Sequence, residues 1–196
     1  MKRPSKQAAC ALASVSMLLA LSASGAEGTF TLTSPDLPAG QAIAPVHMAN
    51  AFGCHGANES PQLIWSGAPA GTKSFAITMY DPYKPPVSGW WHWIVYDLPA
   101  STTSLARKAG DPGSAAMPKG AKQGFPDGEA PEHHYYGPCP DEGDPAHHYV
   151  ITIYALSVDH LNVPATSTAA NIDYEISSKT LAKASIERPF ERKKPK

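Results

Sequence analysis

Long apolar runs are scarce in this sequence. The one stretch of note, Ala8–Leu21, follows Lys2, Arg3 and Lys6 and leads into the small residues Ser22–Ala26. A basic start, an apolar stretch of about 7–15 residues and a small-residue cleavage region make a secretory signal over residues 1–26. Nothing later approaches the roughly 20 apolar residues that a spanning helix needs, which excludes a protein built on such helices. Positive charge is scarce as well. Cleavage after Ala26 leaves 13 basic against 17 acidic residues, a net charge of −4. Five of those basic residues, with one acid, lie in Arg188–Lys196, so the rest stands at −8. Duplex nucleic-acid binding rests on phosphate neutralisation, and this balance excludes it. The basic terminus reads as a frayed, solvated tail over 188–196.

Cysteine is rare too. Cys10 leaves with the signal, so Cys54 and Cys139 remain. In an oxidising compartment an even pair implies a bridge. Closing so long a loop is worth on the order of 4 kcal/mol in the chain-entropy account. Helical periodicity is nearly absent: 20 prolines and 15 glycines interrupt the chain and exclude a helical bundle.

What the chain does have is short strands between turns. Thr29–Thr33, Leu63–Trp65, Phe75–Tyr80, Trp90–Leu98 and Tyr149–Leu156 are rich in β-branched and aromatic residues. Several are apolar on both faces, as central strands of packed sheets are. Pro99–Pro145 loses that pattern and reads as a long functional connection. Only Ser167–Ile186 reads as helix, with Ile172, Ile176, Leu181 and Ala184 along it. The expectation is one mostly β domain over 27–187 with a C-terminal helix.

Four segments carry polar residues that apolar strands do not otherwise need. Asp81-Pro82-Tyr83-Lys84-Pro85-Pro86 follows a strand, and its prolines fix the backbone beside a carboxylate. Ser88-Gly89-Trp90-Trp91-His92-Trp93 sets His92 on a strand, where alternation gives it the face of Trp90 and Ile94. Tryptophan walls around a few aimed polar groups are typical of small-molecule sites. Gly137-Pro138-Cys139-Pro140 offers a turn whose amides can approach an anion. His147-His148-Tyr149 opens the last long strand with two further donors. Each segment also has a plain reading as a turn or strand end.

In this order the segments resemble the phosphatidylethanolamine-binding protein family, and more closely its bacterial Raf kinase inhibitor-like branch. Asn58-x-Ser60-Pro61, Trp65-x-Gly67-x-Pro69, Tyr154-Ala155-Leu156 and Leu181-Ala182-x-Ala184 extend the likeness from about Phe30 to Arg192. The resemblance implies an antiparallel β-sandwich of Greek-key type with short helices and one pocket for phosphate or a phosphorylated head group. Asp81, Pro85, His92, Gly137, His147 and Tyr149 would bind the ligand, with Gly137 as backbone donor. Trp90, Trp91 and Pro138 would form the pocket wall. Tyr83 stands where the family carries a second acid, Lys84-Pro85-Pro86 replaces an Ala-Pro-Thr type segment, and His148 stands for an arginine. The mouth is therefore expected to be less negative. Phe125–His134 differs from the family, and His133-His134 has no family role.

The expected function is that of a periplasmic or secreted binding protein without cofactor, taking a small anion and modulating an unidentified protein target. No Gly-x-Ser-x-Gly elbow and no phosphate-loop motif supplies hydrolytic machinery. The alternative is a metal-binding protein or metal-dependent enzyme using His133, His134, His147 and His148 with Asp141, Glu142 and Asp144, since imidazole and carboxylate suit zinc, copper or nickel.

Overall fold

The runs richest in β-branched and aromatic residues become the centre of the larger sheet. β3 (Ser74–Asp81) pairs antiparallel with β4 (Trp90–Pro99) on one side and with β7 (His147–Leu156) on the other. The computed structural model describes residues 28–82, 89–127 and 133–194. Within them, β1 (Thr31–Thr33), β2 (Leu63–Ser66) and β5 (Ser104–Leu105) form a three-stranded sheet in the order β1-β2-β5. The larger sheet runs β6-β4-β3-β7-β8, with β6 at Lys122–Gln123 and β8 at Thr180–Phe190. All pairings between these strands are antiparallel.

β3 is covered on both faces, as its unbroken apolar pattern requires. One face joins Leu32, Leu63, Trp65 and Leu105 of the small sheet in a core with Phe75, Ile77, Met79, Trp93, Val95, Ile151 and Ile153. The other face, with Ala76, Ile94 and Tyr96, packs against Ile172 and Ile176 of helix α1 (Ala169–Lys179). Thr168 caps that helix, its hydroxyl accepting from the Asn171 amide.

Two expectations at the C-terminus fail. The helix expected over Ser167–Ile186 stops at Lys179, and β8 begins at the next residue. Leu181, Ala182, Lys183 and Ala184 favour helix locally, yet Ala182, Ala184 and Ile186 turn inward at period two and pair with β7. The tail expected to fray from Arg188 is strand as far as Phe190. Arg192 then bonds the Gly53 carbonyl (2.8 Å) and the Glu142 carboxylate (2.7 Å). Within the long 99–145 connection, β5 and β6 are the strands among the described residues.

Cys54 and Cys139 form a disulfide across 85 residues. The expected signal over 1–26, together with Tyr83, Lys84, Pro85 and Pro86, lies outside the described residues.

Candidate functional site

Antiparallel order brings the end of β3 beside the starts of β4 and β7. Met79 and Ile77 face the core, so Asp81, two residues on, shares their face but stands at its polar end. The β4 register jumps here: Met79 pairs with Trp93, whereas Tyr80 pairs with Trp91. His92 is the extra residue of a bulge, and bulges re-aim side chains at sites of this kind. Strict alternation grouped His92 with Ile94. The bulge breaks that phase, so His92 keeps Trp90's face while Ile94 packs beneath α1.

These strand ends enclose a cleft of about 260 Å³. Of the expected binding residues, Asp81, His92, Gly137, His147 and Tyr149 all line it, as does Trp90. Two expected wall residues do not. Trp91 turns to the helix face, its ring 4.5 Å from that of Tyr80. Pro138 is absent from the lining, and its carbonyl accepts from the Ala49 amide at 3.1 Å. Phe52, Tyr136 and Pro140 line it beyond what the sequence indicates, as does Asp141, a residue of the metal alternative. The cysteine pair held a signal for Phe52: a bridge from Cys54 to Cys139 necessarily brings residue 52 near the 137–140 turn.

The polar floor is tightly organised. His147 Nδ1 lies 2.6 Å from Asp81 Oδ2, with both groups buried. His92 donates from Nδ1 to the Tyr136 carbonyl at 2.9 Å. Burial pushes His92 down to about 4, against the Tyr136 carbonyl, the Asp81 carboxylate and the Gly137 backbone, which favour its charged form. The ring is thus neutral near pH 7, and with a proton on Nδ1 its Nε2 is an acceptor. Its ring meets Tyr149 edge-on at 5.1 Å. Burial holds the Tyr149 phenol above its usual range, so it remains a protonated donor. Its hydroxyl makes no hydrogen bond with any described residue.

Gly137 plays another part than expected. Its amide donates to Asn58 Oδ1 at 2.8 Å, while Asn58 Nδ2 donates to the Tyr135 carbonyl at 3.1 Å. The amide is spent on the scaffold instead of facing an anion. The glycine is required by crowding: a Cβ there would lie 2.1 Å from the His47 carbonyl oxygen.

The four histidines of the metal alternative diverge. His147 faces the cleft, His148 bonds Glu187 at 2.6 Å, and His133 Nδ1 lies 2.8 Å from the Gln123 carbonyl. Among the described residues no three His, Cys, Asp or Glu side chains could hold one metal ion.

The sequence profile described as phosphatidylethanolamine-binding protein matches residues 33–191. The chain belongs to this family. YbcL of Escherichia coli is 40% identical over 179 residues, covering 90% of this chain and 96% of that protein. Its crystal structure, described as a new member of the mammalian PEBP family, is similar with a TM-score of 0.79 and 39% identity. That likeness covers 84% of this chain and 99% of YbcL. LppC of Mycobacterium tuberculosis, named a lipoprotein, is 34% identical over 163 residues, covering 82% of this chain and 72% of LppC. The likeness to a lipoprotein and the Cys54–Cys139 bridge both point outside the cytoplasm. No helix among the described residues is long and apolar enough to cross a membrane.

Proposed function

We propose that this protein is a non-catalytic binding protein, exported by its N-terminal signal to the periplasm or beyond, whose cleft takes a phosphorylated head group. We further propose that ligand occupancy tunes its contact with a protein target. The observation that carries the reading is the Tyr149 hydroxyl, a donor that opens on the cleft with no partner among the described residues, beside the neutral His92. That hydroxyl opens on the cleft, and a ligand oxygen there gains a hydrogen bond worth about 0.5–1.5 kcal/mol net. A singly protonated phosphate suits the pair: one oxygen accepts from Tyr149, and its own hydroxyl donates to His92 Nε2. Asp81 fixes the His147 ring at the same floor.

The lining supports binding without chemistry. Among the described residues it contains no serine, threonine or lysine, and its one cysteine is in the disulfide. The volume also fits a head group and not a whole lipid, since sites for drug-sized molecules start at about 300 Å³. Calorimetry with inorganic phosphate and with phosphoethanolamine tests the reading. Affinity should fall in His92→Ala and in Tyr149→Phe, and equal affinities in all three proteins remove the site.

A further inference from the structure

The outer half of the cleft has a chemistry that phosphate alone does not explain. Phe52, Trp90 and Tyr136 line it together with the exposed carboxylate of Asp141. Phe52 is 67% exposed, unusual for so large an apolar side chain, and its backbone is held at φ 53. A bulky residue at positive φ is strained, and such strain persists where surrounding structure enforces it. Here the enforcement is visible: Cys54, two residues on, is bridged to Cys139, and Arg192 bonds the Gly53 carbonyl. The Phe52 ring is thereby presented 5.9 Å from the Tyr136 ring.

Charge points the same way. The described lining holds the carboxylates of Asp81 and Asp141 and no lysine or arginine. The Gly137 amide, the expected anion donor, is occupied by Asn58. Aromatic faces backed by carboxylate attract organic cations, above all quaternary ammonium groups, whose charge is spread over methyl groups that shed water readily. We propose that the Phe52, Trp90, Tyr136 and Asp141 half of the cleft is a cage for a methylated ammonium group. The ligand is then a zwitterion, its phosphate on Tyr149 and its ammonium in this outer cage. The inference rests on the head-group reading above and narrows it to head groups that carry a bulky cation.

Calorimetry with four probes tests it on the disulfide-bonded protein: inorganic phosphate, phosphoethanolamine, phosphocholine and choline. Phosphocholine should bind roughly tenfold or more tighter than phosphate, consistent with a desolvated cation on several rings. Choline alone should bind measurably. Phe52→Ala and Asp141→Asn, both at exposed positions, should each reduce the phosphocholine-to-phosphate ratio several-fold. Tetrahedral phosphate binding as tightly as phosphocholine, with both lost in Tyr149→Phe, overturns the cage and leaves the head-group reading intact. Choline binding with no contribution from phosphate supports the cage and overturns that reading. An unchanged ratio in both variants overturns the cage.

Discussion

His92 should make the protein unusually sensitive to mild acid. Its folded-state value is lowered to about 4 from 6.5, chiefly by burial. A group whose folded value is depressed binds its proton more readily when unfolded, so acid favours unfolding. Stability is therefore fully present above about pH 6.5 and declines as pH falls toward about 4. Over that window the unfolded chain takes up close to one extra proton, at about 1.4 kcal/mol per pH unit. Between about pH 7.5 and about pH 5 the loss assignable to His92 is about 2 kcal/mol. Carboxylates also titrate toward the acid end, so the comparison is with His92→Gln. Urea unfolding of both proteins at the two pH values isolates the term: the variant should lose about 2 kcal/mol less than the wild type. The imidazole C2 proton of His92, followed by NMR, should stay unshifted until well below pH 6. An imidazole titrating near 6.5, or an identical loss in the variant, refutes the burial argument.

Three further outcomes follow from the same geometry. Replacing both Cys54 and Cys139 by alanine opens a loop of 85 residues, and calorimetry should show a loss on the order of 4 kcal/mol, roughly 10 °C in Tm. Gly137→Ala places a Cβ 2.1 Å from the His47 carbonyl oxygen, so urea unfolding should show a loss of about 3 kcal/mol or more. Tyr149→Phe removes a hydroxyl with no described partner, so stability should change by under about 0.5 kcal/mol while phosphoethanolamine affinity falls roughly tenfold.

The elements that carry the cleft are legible in the sequence because they are strongly apolar and β-branched. Phe75–Tyr80 and Tyr149–Leu156 appear as β3 and β7 with one to two residues added at their ends. The cleft's polar floor was legible for another reason: Asp81, His92, His147 and Tyr149 interrupt or end those runs with groups that burial alone would not favour. What escaped the sequence depends on partners distant in the chain. The bulge at His92 is a mismatch between β3 and β4, so no pattern within β4 announces that His92 and Ile94 part company. The Gly137 amide is open by its local pattern, and what occupies it is Asn58, 79 residues away. Thr180–Phe190 carries helix formers, and only the ladder with β7 turns it into strand. Phe52 lacked any local sign of function because a disulfide, not its neighbours, carries it to the cleft.

A crystal structure of the protein soaked with phosphoethanolamine tests the central claim most directly. The account predicts density in the cleft with a phosphate oxygen about 2.7 Å from the Tyr149 hydroxyl and the molecule enclosed by His92, His147 and Trp90. Clear density bound elsewhere on the molecule, or an empty cleft at saturating ligand, contradicts it.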